Sequence, residues 1–303
     1  MTDSADLRFL LAIQDNGSLV ATARALGLTP SAVSQRLQQL EKKLGTRLVD
    51  RTARSLRFTQ EGTLLCERGA ELIRQLDTLS EDLHTRRGGL VGTLKVNAPL
   101  GFGRRYVAPV IADFQQQHPD VDIELMLSDA PLTEAAERFD VVVHIGALQV
   151  SNLVGYAIAP NARWVCASPA FVKRFGLPET PDDLATLPCI VLRENKEDVS
   201  LWHFSKGRTS RSVRVPSKLM CNDGDVIRRW ASEGRGVILR SEWDVAAEVA
   251  AGKLVRLLPQ WRQGAADVMA LVPQRKGMSA RVKTFLDFLA AEFRPQPPWR
   301  RQA

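Results

Sequence analysis

The chain has 303 residues, 45% of them hydrophobic and 25% charged, and a formal charge of +7. That balance excludes wholesale disorder and leaves chain enough for two or three compact units. No run of about 18 apolar residues is available to span a bilayer, and MTDSADLRFLLAIQDNGS lacks the apolar core of a secretory signal, so a cytoplasmic protein with no membrane partner is expected.

Positive charge is concentrated near the start. Residues 24–57 carry Arg24, Arg36, Lys42, Lys43, Arg47, Arg51, Arg54 and Arg57 against Glu41 and Asp50, which is +6 in 34 residues. Such a patch attracts a polyanion through counterion release. Leu7, Leu10 and Leu11 recur at helical spacing up to Asn16-Gly17, a stop signal. A second short helix runs from its cap Ser18 through Leu19, Ala23 and Leu26 to Gly27. Thr29-Pro30 opens a third, with Thr29 as N-cap and Pro30 at the first helical position, where its missing N–H costs nothing. Val33, Leu37, Leu40 and Leu44 give it one apolar stripe, and Gly45 ends it. Helix, tight turn and helix, packed through small alanines, make a helix-turn-helix.

Ser31, Ala32, Ser34, Gln35 and Arg36 turn away from that stripe and suit major-groove work, since Gln pairs with adenine and Arg with guanine. RLVDRTARSLRFT then reads as a wing, two extended arms around a basic tip that places Arg51 and Arg54 on backbone or minor groove. The candidate DNA-binding set is therefore Ser18, Thr29, Pro30, Ser31, Ala32, Ser34, Gln35, Arg36, Arg51 and Arg54, and double-stranded DNA is the expected partner.

The run SLVATARALGLTPSAVSQRLQQLEKKLGTRLVDRTARSLRFTQEG resembles the DNA-binding segment of LysR-type transcriptional regulators. The likeness lies in the Ala-rich second helix, SAVSQRLQQLEKKLG, the LxxR entry to the wing and the LxFTxEG exit. Val49 departs from it, because the family usually has Phe there.

From Thr59 to about Thr85 there is no proline or turn cluster, and Leu65, Gly69, Leu72, Leu76, Leu79 and Leu83 step by four and three. That is a heptad seam flanked by charges, with Leu65, Leu72, Leu76, Leu79 and Leu83 expected against a partner helix. The resemblance implies a homodimer through this linker and, further, a homotetramer, with RNA polymerase as a further partner. Arg86-Arg87-Gly88-Gly89 reads as a hinge.

Beyond the hinge, GTLKVNAP, VDIELMLSD, DVVVHIG, ARWVCAS, CIVLREN, SVRVPSKL, VILRS and ADVMALVPQ read as strands between helices such as YVAPVIADFQQQHP, TEAAERF, PAFVKRFG, DGDVIRRWASEG and SARVKTFLDFLAAEF. Strand–helix alternation implies parallel sheets with right-handed crossovers. The expected fold is α/β, an effector domain of two Rossmann-like lobes, preceded by an all-α winged helix-turn-helix and a long linker helix. The expected units are the head (1–58), linker and hinge (59–88) and effector domain (89–303), with lobe I at 90–162 and 267–295 and lobe II at 163–266. The resemblance agrees, since the family's effector domain is like a periplasmic binding protein.

Two crossings between lobes make a hinged cleft that suits a small ligand. Leu100, Gly101 and Phe102 follow the first strand, Ser128 ends the second, and His144 lies in VVVHIG. Trp202 is a candidate for stacking and Asn222 for a helix-start contact, and Arg240 at the end of VILR is a candidate carboxylate clamp. Each has a plainer alternative, as turn, core residue, cap or ion pair. Cleft arginine and helix starts hint at an organic acid as effector.

Cys66, Cys166, Cys189 and Cys221 are far apart with no CxxC pair, so reduced thiols are expected. His84, His118, His144 and His203 have no metal-ligand spacing, and there is no P-loop or GxSxG, so neither a cofactor, a metal nor an enzyme is expected. The reading is a sequence-specific DNA-binding regulator controlled by a small molecule. A transport-type solute-binding protein and a nonspecific architectural DNA binder are the alternatives.

Overall fold

The first three helices begin and end where polar side chains and glycines satisfy the backbone. In α1 (Ser4–Asn16) Asp3 accepts from the Asp6 N–H while the Asp6 carboxylate accepts from the Asp3 N–H, and Gly17 closes the helix in a left-handed conformation (φ 65°). Ser18 caps α2 (Leu19–Ala25) by accepting from the Ala21 N–H, and Thr29 caps α3 (Pro30–Leu44) by accepting from the Ala32 N–H. A computed structural model supplies these coordinates and describes residues 2–50, 56–85, 89–129, 139–147, 153–193, 199–273 and 278–301. It forms two compact units, Met1–Arg87 and Gly88–Ala303.

In the first unit Phe9, Leu10, Ile13, Ala23, Val33, Leu37 and Leu40 make one core, closed by Leu48 and Val49. β1 (Val49–Asp50) pairs antiparallel with β2 (Arg57–Phe58). The Glu41 carboxylate on α3 accepts from the N–H groups of Leu48 and Val49, so the entry to this ribbon hangs from the third helix. α4 (Gln60–Thr85) follows the exit, where the Thr59 hydroxyl donates to the Arg47 carbonyl and accepts from the Gly62 N–H. Cys66, Gly69 and Ile73 of α4 are buried, and a side chain at Gly69 would stand 3.0 Å from Leu7 of α1. Gly69 is thus a close helix–helix contact within one chain rather than a gap in a seam.

The second unit opens with β3 (Gly92–Pro99). An unbroken helical run follows, made of α5 (Leu100–Phe102), a π turn at Gly103–Val107 and α6 (Ala108–Gln117). β4 (Val121–Ser128), β5 (Val141–Ile145) and β6 (Leu153–Ala159) complete the outward path. The chain then crosses into β7 (Arg163–Ala167), α7 (Pro169–Phe175), β8 (Cys189–Leu192), β9 (Leu201–Lys206), β10 (Thr209–Arg214), β11 (Ser217–Cys221), α8 (Gly224–Ser232), β12 (Val237–Ser241), α9 (Glu242–Ala250) and β13 (Val255–Leu257). It returns through β14 (Val268–Pro273), α10 (Ala280–Glu292) and α11 (Pro298–Arg301).

Two five-stranded sheets result, ordered β4-β3-β5-β14-β6 and β11-β8-β12-β7-β13. They are mixed rather than wholly parallel: β14 runs antiparallel to β5 and β6, and β7 antiparallel to β12 and β13. β7 and β14 are the first strands after each crossing, entered from the neighbouring lobe without a crossover helix. SVRVPSKL is not one strand. It divides at Pro216, which has no N–H for a ladder, into β10 of a separate hairpin and β11 of the second sheet. The expected helix at TEAAERF and the hinge at Arg86–Gly88 lie outside the described residues.

A side chain on Gly62 would sit 2.1 Å from the Leu48 backbone carbonyl oxygen, which cannot rotate away. Gly62→Ala must therefore pry α4 from the β1 entry, and the expected cost is about 2–3 kcal/mol. Thermal unfolding of the full chain should show the head melting earlier, while an unchanged head transition would refute the contact.

Candidate DNA interface and effector cleft

On α3 the leucines face inward and the polar residues outward, as the 3.6-residue period requires. Ser31 and Gln35 are exposed, and Ala32 and Ser34 are partly so. Pro30 and Thr29 are exposed at the start, where the Thr29 and Ser31 hydroxyls lie 3.0 Å apart. Ser18 is half-buried at the start of α2. Arg36 is the exception in this set. Its guanidinium donates to the Ala5 carbonyl at 3.0 Å and lies 4.5 Å over the Phe9 ring, so it fastens α1 to α3. Lys43 does the same from the far end through Asp6 at 2.6 Å, which holds the Asp6 carboxyl below its usual range. Arg51 and Arg54 lie outside the described residues.

The linker leucines divide. Leu65 packs on the head's own core, a departure from the expected seam that arises because α4 begins against α1 and the ribbon. Leu72, Leu76 and Leu79 are 52%, 47% and 58% exposed, with Leu64 beside them at 57%. An exposed leucine row of that size on one helix face is what a partner helix would cover. The Leu83 side chain lies outside the described residues.

In the second unit the lobes meet where β3, β4 and β5 end. Leu100 and Gly101 are half-buried there, Ser128 stands opposite Pro99 in the sheet register, and His144 closes on its own loop through Nε2 and the Ala147 carbonyl at 3.1 Å. Burial pushes the His144 imidazole below its usual range, so it stays neutral at pH 7. Across the cleft, Asn222 Nδ2 donates to Asp129 Oδ2 at 2.5 Å. Arg104 reaches from the π turn to Asp225 at 2.6 Å and Asp223 at 3.3 Å. Burial penalises the Asp223 charge, but the Val226 and Asp225 N–H groups and Arg104 outweigh it and lower its pKa. These bridges tie lobe I to the start of α8. Beside them lies a cavity of ≈ 400 Å³, lined by Gly101, Arg104, Arg105 and Arg228 with Asp225, Glu248 and Trp243.

Three expected cleft residues are elsewhere. Phe102 is fully buried in lobe I, 5.3 Å from the Trp243 ring and 5.1 Å from Tyr106, because the inner face of a helix starting at Leu100 points into the sheet. Trp202 is 4% exposed among Phe204, Val213 and Trp261, and its Nε1 donates to the Val199 carbonyl. Arg240 is buried and already holds a carboxylate: its Nε donates to Asp244 Oδ2 at 2.7 Å, under α8 where a side chain on Gly224 would collide with it. Arg228 holds the other Asp244 oxygen. Removing one partner of such a buried network leaves a stranded charge at a cost of about 3–5 kcal/mol, so Arg240 is structural. Sequence reasoning missed Arg104, Asp129 and Asp225. The one signal for them was the Arg-Arg pair following Gly103, opposite the acids of NDGD.

No thiol is poised for chemistry in the core. Burial pushes Cys66, Cys166 and Cys189 up to about 12, so they remain protonated. Among the described residues no helix is long and apolar enough to cross a membrane.

Comparison with known proteins identifies both ends of the chain. A family model for the bacterial regulatory helix-turn-helix protein of the lysR family matches residues 4–63, and one for the LysR substrate binding domain matches residues 87–294. The HTH-type transcriptional regulator DmlR of Escherichia coli K12 is 31% identical over 97% of this chain and 95% of its own length. The HTH-type transcriptional activator TtdR of the same strain is 30% identical over 94% and 92%. Among solved structures, ArgP from Mycobacterium tuberculosis superimposes with a TM-score of 0.67 at 20% identity, covering 98% of this chain and 99% of its own. The full-length virulence activator AphB of Vibrio cholerae does so with 0.62 at 23%, covering 96% and 99%. With a DNA-binding head, a small-molecule-binding domain and relatives that match both along nearly their whole length, the chain belongs to the LysR family of transcriptional regulators.

Proposed function

We propose that this regulator works in the cytoplasm as a homodimer, or a tetramer of two such dimers, and that it carries no catalytic activity. Two copies join along Leu72, Leu76 and Leu79, and each presents α3 to one of two successive major grooves. The observation that carries this is the face of α3: Ser31 and Gln35 are left to solvent and Ser34 partly so, while Val33, Leu37 and Leu40 are buried. Gln35 is the base reader, Ser31, Ser34 and Ala32 flank it, and Ser18, Thr29 and Pro30 lie where backbone phosphates pass. Arg36 acts at one remove, by fixing α1 against the reading helix. Arg51 and Arg54 supply phosphate or minor-groove contacts from the wing, and contact with RNA polymerase follows at the promoter.

Gln35→Ala should weaken binding to a duplex selected from random pools by the wild type by about 1–3 kcal/mol, and relax sequence choice at one position. Fluorescence anisotropy on the selected and a scrambled duplex measures both. Equal losses on the two would exclude base reading by Gln35.

The effector, in this reading, is a small organic acid held between the lobes near Leu100, Gly101, Ser128 and Asn222. Its carboxylate takes Arg104 from Asp225, so binding exchanges one bridge across the cleft for another. That exchange gives the ligand a preference for one lobe arrangement, without which no signal would pass to the heads. A melting screen of the full chain against small aliphatic and aromatic carboxylates should find a compound that raises Tm by about 5 °C when present at 100 times its Kd. Arg104→Ala should remove that shift while leaving the ligand-free chain folded. A stabilising ligand without an acid group, or a shift that survives in Arg104→Ala, would defeat the proposal.

A further inference from the structure

The head is not the only strongly basic element. Between Asp198 and Asp223 the chain carries Lys206, Arg208, Arg211, Arg214 and Lys218 and no acidic residue. Four of these five cations belong to β9, β10 and the turn between them, a two-stranded sheet separate from the five-stranded one. One face of the hairpin is firmly anchored: Trp202, Phe204 and Val213 are 4%, 2% and 4% exposed in the lobe II core, and Ser205 exchanges two backbone hydrogen bonds with Arg262 at 2.8 Å. The opposite face is open. Alternation brings His203 and Ser205 of β9 beside Ser212 and Ser210 of β10, all exposed, with Arg214 at one end and Arg208 in the turn.

Internal pairing leaves much of this charge uncompensated. Arg211 meets Asp182 at 3.6 Å with both side chains more than half exposed, a contact of little worth. Lys206 lies 5.9 Å over the Trp261 ring, and Arg208 has no carboxylate partner among the described residues. Folding gains nothing from such a cluster, because like charges repel. A protein partner would need apolar or aromatic residues at the centre of the contact, and this hairpin exposes no large hydrophobic side chain. Register puts Lys206 and Arg211 on the parity of Trp202 and Phe204 but beyond the core, at the hairpin's tip, where both are exposed beside Arg208 of the turn. Exposed guanidinium and ammonium groups with hydroxyls nearby are the set that contacts phosphodiester oxygens.

We propose that the β9–β10 hairpin is a second DNA contact of this regulator, one that grips the phosphate backbone without reading sequence. The contact adds to that of the heads and rests on the chain's membership of a DNA-binding family. In an assembled regulator it holds the duplex to the effector domains as well, so that rearranging the lobes acts on the DNA directly. The decisive measurement is a salt titration of the full chain on a 40-base-pair random-sequence duplex, comparing wild type with the triple variant Lys206→Gln, Arg208→Gln, Arg211→Gln. Loss of three phosphate contacts should make the plot of log K against log salt shallower by about 2–3. Ser210→Glu, which sets a carboxylate next to Arg211 at the same tip, should weaken binding further while the melting temperature of each variant stays at the wild-type value. An unchanged slope in a folded triple variant that still binds DNA would overturn the hairpin contact and leave the head reading intact. Wild type that fails to bind any duplex would sink both. Loss of binding to polyglutamate with DNA binding unaltered would assign the hairpin to an acidic protein instead and overturn the proposal.

Discussion

The effector domain depends on one indole. Trp243 follows a lobe II strand by two residues, yet its ring lies inside the lobe I aromatic cluster with Phe102 and Tyr106, 95% buried. Its backbone N–H donates to Asn161 Oδ1, and the Asn161 amide donates in turn to the Ala266 carbonyl, so both crossings between the lobes are tied at this point. Neighbouring Glu242 accepts from the Ala162 N–H and receives two bonds from Arg300, at 2.8 and 2.6 Å, while Trp299 beside it fills the same aromatic cluster. Four passages of chain therefore converge on one knot. The bridges at Arg104 and Asn222 are exposed and exchange readily with water or ligand, whereas Trp243, Asn161 and Glu242 are buried, so any opening of the lobes pivots at the knot.

That contrast gives the domain a rigid side and a labile side, which is what a sensor needs. A ligand can bias an equilibrium only by contacts that differ between its two states, and surface bridges of small net worth are inexpensive to exchange. The buried Arg240–Asp244–Arg228 network serves the rigid side. It sits directly under α8, and it fixes the helix whose first turn supplies Asp223 and Asp225 to the labile side. Arginines thus have opposite duties within one domain, Arg104 in an exposed bridge and Arg240 in a buried one, and the difference between them is burial.

Burial is also why the head was legible in the sequence and the cleft was less so. In the three head helices the boundaries are mostly announced locally: Ser18 and Thr29 cap, Gly17 and Gly45 stop, Pro30 starts, and the apolar stripe on α3 names its exposed face by subtraction. A strand end says only that a side chain lies near a cleft, not whether it turns in or out. Phe102 and Trp202 turn inward because both sit on the core-facing parity of their elements, and Arg240 is claimed by Asp244, four residues on in α9. The linker helix shows the same limit in milder form. Of its heptad leucines, Leu72, Leu76 and Leu79 are exposed, but Leu65 and Gly69 fall on the part of the row that the chain uses for itself, because period alone cannot distinguish an internal neighbour from a second copy.

Net charge hid one feature altogether. Residues 24–57 carry +6 and the remainder of the chain sums to +1, yet that remainder holds a run of five cations, Lys206 to Lys218, with no acid among them. Antiparallel pairing folds that run back on itself, since β9 and β10 place residues distant by up to thirteen positions side by side, Leu201 against Arg214 and Trp202 against Val213. A sum over sequence averages charge along the chain, whereas a polyanion meets it across a surface. For a protein whose partner is a phosphate polymer, the arrangement of positive charge over each folded face therefore carries more information than its total.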